Sequence, residues 1–363
     1  MLNTISQIKN PQLAKNLVQE ITKLALQLPQ VKIMEVCGTH TVSIFKSGIR
    51  SLLPENVKLL SGPGCPVCVT PNNYIDQSIW LALEKGVILT SFGDMLKVPG
   101  SKYSLAQAKS LGADIRIVYS TLDALKIAQE NPEREVVFLG IGFETTTPTV
   151  ASAVLLAAEQ GLNNFSIIGS HKTIPAALRA LAENKEIGID AFLLPGHVSA
   201  IIGLEPYVFL ANEYNLPGVI AGFEGVDILM GIYEILQMLI NGQAQILNAY
   251  PRIVKTEGNP VAREIVNRIF QPADAYWRGI GLIPETGLEL KDQYKTFDAK
   301  EKFNIPDFSA HEPKGCRCGE VLRGLVTPPE CPLFSRKCTP ETPVGACMVS
   351  IEGTCAAYYR YGV

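Results

Sequence analysis

The last part of the chain reads CPLFSRKC, TPETPVGAC and MVSIEGTC, which puts six, eight and seven residues between Cys331, Cys338, Cys347 and Cys355. Four thiolates with no histidine suit tetrahedral zinc or a [4Fe–4S] cluster. Structural zinc usually shows close C-x2–4-C pairs, and the even dispersal here favours iron–sulfur. Pro332, Pro340, Pro343, Gly345 and Gly353 let the backbone turn so that the four sulfurs can converge. Upstream, GCRCGE holds Cys316 and Cys318 too close together for both to join one tetrahedral site. They read as a structural turn, with one of them a weaker alternative ligand.

Two further thiol sites lie near the N-terminus. In EVCGTHT, Cys37 ends a strand pattern and His40 follows three residues later. A thiolate and an imidazole on one turn can hold a transition metal with open positions, or the imidazole can activate the sulfur as a nucleophile. A buried cysteine beside a capping histidine is the competing reading. In SGPGCPVCVTP, Cys65 and Cys68 form a C-x-x-C at the start of a helix pattern, where backbone N–H groups favour thiolate. A redox pair is the favoured reading; a metal clip or an inert turn are the alternatives, and no second C-x-x-C exists to complete a zinc ribbon.

Three more loops end strands: GFETTTP, PGHVSAIIG and GFEG, offering Glu144, Thr145, Thr146, His197, Ser199 and Glu224. Singly they are ordinary turns. On one edge facing Cys37 they would make a polar wall. No stretch completes G-x-G-x-x-G, and there is no Walker A motif.

These groups must be carried by a framework. The chain has 363 residues, 47% hydrophobic and 18% charged, enough for a large core and two or three domains. A net charge of -3 gives no footprint for nucleic acid. The N-terminal stretch is an amphipathic helix pattern with charges throughout rather than a secretory signal, and the apolar run TVASAVLLAA is far shorter than the roughly 20 residues a membrane span needs. The expectation is a cytoplasmic protein, monomeric on its own. In that compartment nine cysteines, an odd number, point to metal or redox chemistry rather than to a disulfide framework.

Short apolar runs, each followed by a helix pattern, predict parallel sheets covered by helices. The expected fold is α/β, with two similar parallel-sheet lobes and a Cys-rich C-terminal iron–sulfur domain. The expected boundaries are 1–28, an N-terminal helix packing on the C-terminal domain; 29–120 and 121–245, the two lobes; and 246–363, the C-terminal domain. Ligand sites gather outside the carboxyl ends of parallel strands, which places the site in a cleft between the lobes. Thr70 and Pro71 are placed as N-cap and N1 of a helix that Gly86 ends, and Ser120 with Asp123 has capping-box spacing.

Taken in order, CGTH, GPGCPVC, GFETT, PGHVS, GFE and the tail CGEVLRG…C…CTPETPVGACMVSIEGTCAAYY closely resemble the HypD family of [NiFe]-hydrogenase maturation factors across nearly the whole chain. Ile351 stands where a serine is common in that family. The resemblance implies two α/β lobes and a third domain with a [4Fe–4S] cluster on Cys331, Cys338, Cys347 and Cys355. It implies a complex with the small chaperone HypC that assembles an Fe(CN)2CO group, and transient docking of HypE, the cyanide carrier. Cys37 would hold the iron together with the N-terminal cysteine of HypC, supported by His40. Cys65 and Cys68 would be a dithiol/disulfide pair exchanging electrons with the cluster, making the protein an assembly scaffold rather than a conventional enzyme. The alternative class is a zinc-containing oxidoreductase or transferase that binds a small metabolite between the lobes.

Overall fold

A computed structural model describes residues 10–309 and 312–362. Two parallel sheets form its framework. The first has the order β2-β1-β7-β8-β9, built from Val31–Glu35 (β1), Val57–Ser61 (β2), Ala191–Pro195 (β7), Gly218–Ala221 (β8) and Ile246–Asn248 (β9). The second has the order β4-β3-β5-β6, from Ile88–Ser91 (β3), Ile115–Ile117 (β4), Val136–Gly142 (β5) and Phe165–His171 (β6). Every residue of β3, β5, β7 and β8 is buried. That is why these runs are apolar throughout rather than alternating: helices cover both faces of a parallel sheet.

The strands are not shared out as 29–120 and 121–245. β3, expected with the first lobe, pairs with β5 as well as with β4, so both belong to the second sheet. β7 and β8, expected with the second lobe, complete the first sheet beside β1. The chain leaves the first sheet after β2, builds the whole second sheet, and returns at β7. The alternation of strand and helix patterns shows that crossovers exist. It does not say which strand each one delivers the chain to, and the usual preference for sequence neighbours fails at these two crossings.

The helix Pro11–Ala25 is capped by the Asn10 side chain, which accepts from the N–H groups of Gln12 and Leu13. Its buried face, Leu17, Ile21 and Ala25, packs on the helix Gly225–Ile240 and the first sheet, not on the C-terminal domain as expected. Its apolar stripe shows that the helix docks, but any apolar surface would satisfy it. Residues 1–9 of the expected N-terminal segment lie outside the described residues.

The helix after the C-x-x-C starts at Asn72 with Pro71 as its N-cap. Thr70 instead closes the preceding turn, its hydroxyl donating to the Pro66 carbonyl at 2.8 Å. Gly86 follows that helix with φ +63, as its position suggested. The Ser120–Asp123 capping box forms, with Ser120 N–H donating to Asp123 at 2.9 Å.

Beyond β9 comes the helix Pro260–Ile269, then an antiparallel hairpin of Phe270–Trp277 (β10) and Gly281–Leu290 (β11). The hairpin lies against β6. The tail is loops and short turns ending in the helix Thr354–Tyr361. None of the helices among the described residues is long and apolar enough to cross a membrane.

Candidate functional site

Because the first sheet is wholly parallel, the carboxyl ends of its strands lie on one edge. β1 leads into Cys37, β2 into Gly62–Cys65, β7 into Gly196–His197 and β8 into Gly222–Glu224. Four of the quoted motifs therefore share that edge.

Cys37 caps the helix Gly38–Lys46 and is 8% exposed. Burial pushes its thiol up to about 12, although the nearby backbone N–H groups of His40 and Thr39 oppose the shift. Free of metal, Cys37 is thus a thiol, and binding a soft cation must release its proton. His40 is fully buried, with Nε2 2.9 Å from the Gly222 carbonyl. A carbonyl only accepts, so Nε2 carries the proton and Nδ1 is a bare lone pair. That Nδ1 has no partner. Burial holds the ring neutral, with its pKa lowered to about 4.

The GPGC loop touches Cys37 through backbone. Gly38 N–H donates to the Gly64 carbonyl at 3.1 Å, and a Cβ on Gly64 would stand 2.3 Å from the Cys37 nitrogen. Only glycine fits there. Cys65 caps the short helix Pro66–Val69, its sulfur accepting from Cys68 N–H at 3.3 Å. Cys65 and Cys68 are both buried, and burial drives the Cys68 thiol well above its usual range.

This helix abuts the cysteine-rich tail. The Cys68 thiol interacts with that of Cys347 and points at the Ala346 carbonyl, 3.9 Å away. Cys347 Sγ in turn lies 2.9 Å from Cys318 Sγ. A closed cavity beyond is lined by Cys331, Cys338 and Cys355 and also by Cys316, Cys318 and Cys347, with Val321, Leu333, Phe334 and Met348 among its apolar walls. All nine cysteines are free thiols. Cys316 and Cys318 are therefore more than a turn. Their one-residue spacing argued against one tetrahedral ion, but it says nothing against lining a larger space.

The donor set of this cavity is all sulfur in apolar surroundings, and Val344 N–H donates to Cys338 Sγ at 3.3 Å. Among the described residues no three His, Cys, Asp or Glu side chains are grouped to hold a single metal ion. A ring of thiols around a cavity fits a polynuclear iron–sulfur group better than one zinc ion.

The expected polar wall forms in part. His197 stacks on Phe223 with centroids 3.9 Å apart, and Phe223 packs on His40 at 4.7 Å. Ser199 is buried and turned inward, donating to the Pro195 carbonyl at 2.8 Å. Glu224 is exposed and caps the helix Gly225–Ile240. Thr145 is exposed, and Thr146 bonds the Phe143 carbonyl at 3.2 Å. Glu144 is buried, accepting from Ile174 N–H at 2.9 Å with its second oxygen unpartnered, and burial raises its pKa to about 7. Tyr207, fully buried, lies within electrostatic reach of both Glu144 and Cys37.

Two neighbours of Cys37 escaped the sequence reading. One is Tyr207. The other is Glu352, which accepts from Thr39 Oγ1 at 2.7 Å and brings the tail onto the CGTH turn. Glu352 lies between two cysteines of the tail, and that adjacency was its only signal.

Comparison with known proteins finds relatives along nearly the whole chain. A family model described as HypD, "Hydrogenase formation hypA family", matches residues 12–362. The chain is similar to the hydrogenase maturation factor HypD of Rhodobacter capsulatus, 46% identical over 98% of this chain and 97% of that protein. It is 45% identical to the Escherichia coli (strain K12) protein of that name, over 98% and 97%. With that of Rhizobium leguminosarum bv. viciae the identity is 44%, over 99% of this chain and 95% of the other.

Proposed function

The chain belongs to the HypD family of hydrogenase maturation factors, and on that premise we propose that it is a redox-active scaffold on which, with a HypC-type chaperone, the Fe(CN)2CO group is assembled. The iron is cargo. Cys37 supplies a thiolate once its proton is lost to the incoming metal, and a cysteine of the chaperone supplies a second. The bare, unpartnered Nδ1 of His40 marks that imidazole as the group that accepts a proton or a ligand there. A HypE-type cyanide donor docks transiently at the same edge, and the protein acts in the cytoplasm.

The resident cofactor of this reading is a [4Fe–4S] cluster in the tail cavity, which supplies electrons one at a time. The sequence quartet was Cys331, Cys338, Cys347 and Cys355. Thiolates on separate corners of a cubane stand well apart, and the 2.9 Å between Cys318 and Cys347 favours that couple as a dithiol instead. Cys316, Cys331, Cys338 and Cys355 are then the four that would hold the cluster. Cys65 and Cys68 act as a two-electron store: their dithiol gives up two electrons and two protons as it closes to a disulfide.

The observation that carries this reading is the continuous run of sulfur from the tail cavity through Cys347 and Cys68 to the loop that touches Cys37. Cys65→Ala tests it. The variant keeps its absorbance near 400 nm and its iron, about four per chain, but no longer supports hydrogenase maturation in a strain lacking its own factor. Normal maturation in that strain rejects the thiol role. Cyanide and carbonyl stretching bands in wild-type protein co-purified with its chaperone, absent in Cys37→Ala, test the iron site.

A further inference from the structure

β6, an edge strand of the second sheet, ends at His171, and Lys172 follows. Both are buried, 1% and 2% exposed, and both line a cavity of about 390 Å³ enclosed by the end of β6, the β10–β11 hairpin, the start of the helix Asn72–Glu84 and the segment 295–307. None of the cysteines is among its lining residues. The cavity lies at the carboxyl end of a parallel strand, where ligand sites gather.

Two side chains in its wall, Lys172 and His171, lack partners that their burial demands. Lys172 Nζ donates to Ser170 Oγ at 3.2 Å and sits 5.7 Å over the Trp277 ring, with no carboxylate paired to it among the described residues. An ammonium buried without a counter-charge is costly, and burial together with the charge of Lys300 lowers its pKa to about 7. Both ring nitrogens of His171 are likewise unpartnered, but they are covered rather than open to the cavity, and the neutral ring packs beside Phe270. Packing alone supplies no reason to place an ammonium without a counter-charge against open space.

The outer end has the opposite character. Asp274, Glu301 and Asp307 line the cavity and are exposed at its opening, where Lys300 is the exposed cation. Glu289 and Lys295 pair with each other at 3.6 Å. A multiply charged anion such as a phosphate would have to pass this acidic opening and the Asp298 carboxylate to reach one buried ammonium, with the exposed Lys300 as the second cation near it. A ligand with one carboxylate meets the inner groups, and a cation on the same ligand meets the opening.

We propose that this cavity binds a small zwitterion of the amino-acid type, its carboxylate on Lys172 and Ser170 and its ammonium toward Asp274, Glu301 and Asp307. The site is separate from the thiols and does not rest on the maturation reading.

Calorimetric titration of the anaerobic holoprotein with each of the common amino acids, with acetate and inorganic phosphate alongside, tests it. At least one amino acid binds saturably and more tightly than acetate or phosphate, and Lys172→Met weakens it by about tenfold or more. Acetylation of the wild type by acetic anhydride, read by peptide mass mapping, keeps the test sound if the variant folds poorly: the bound amino acid protects Lys172. Tighter binding of phosphate or acetate, or the absence of any amino acid that protects Lys172, overturns the proposal.

Discussion

Glu144 shows how far a residue type can be read without its surroundings. As a carboxylate after a strand it looked like one face of a polar cleft, whereas its two oxygens have different fates: one accepts from Ile174 N–H and the other is buried without a partner. Burial raises its pKa from 4.5 to about 7, so between those values the folded chain holds a proton that the unfolded chain has lost. Stability therefore falls as pH rises through that window and levels off above it. Glu144→Gln removes the titration. Its stability relative to wild type should improve by about 3 kcal/mol between pH 4 and pH 8, read from the unfolding free energies of the two proteins at each pH. A constant difference would show that Glu144 is not desolvated as its burial implies. Cys37, His40 and the C-x-x-C stand out in the sequence because a soft donor in a glycine-rich turn announces itself chemically. Cys316 and Cys318, which read as a turn, also line the tail cavity, a placement their spacing does not reveal, and Tyr207 and Glu352 carry no such chemical mark.

At the scale of elements, the sequence told strand from helix well and neighbour from neighbour poorly. Period and composition made the β5, β7 and β8 segments recognisable, since each is buried on both faces. Sheet membership was hidden, because pairing depends on where each crossover delivers the chain, and β3 would satisfy the apolar edge of either sheet. The GPGC loop is where this topology matters to chemistry. It is the crossing from the first sheet toward the second, and it pins Cys65 beside Cys37 by bringing two backbones together at Gly64. Gly64→Ala puts a methyl group 2.3 Å from the Cys37 nitrogen and 2.4 Å from its Cα, atoms that cannot rotate away. The expected cost is about 3 kcal/mol of stability, by overpacking, together with loss of maturation while cluster absorbance survives. Gly86→Ala is the control. Its Cβ would meet nothing within 4 Å, and its φ of +63 alone costs about 1 to 2 kcal/mol. Equal losses in the two variants, with maturation kept in both, would mean that the close approach at Gly64 has no bearing on the iron site.

For the molecule as a whole, the proposed function requires a route by which electrons from the tail cavity would reach the thiol at the edge of the first sheet. The packing offers one through the tail and the first crossing: the turn Ala346–Met348 packs on the helix Pro66–Val69, the helix Thr354–Tyr361 packs on Gly38–Lys46, and Glu352 reaches Thr39. Cys347 occupies the middle of that path, interacting with Cys68 on one side and standing 2.9 Å from Cys318 on the other. If the Cys318–Cys347 couple is a relay rather than part of the cluster's ligand set, its removal separates two properties that a ligand's removal would destroy together. Cys347→Ser should retain about four irons per chain and its absorbance near 400 nm, whereas Cys331→Ala should lose both. In oxidised wild-type protein, dithionite should open a Cys65–Cys68 disulfide to alkylation, read by peptide mass mapping. In Cys347→Ser the iron should still be reduced while that disulfide stays closed. Loss of iron from Cys347→Ser would return Cys347 to the quartet that spacing suggested, and unimpaired opening of Cys65–Cys68 would show that electrons bypass the sulfur path.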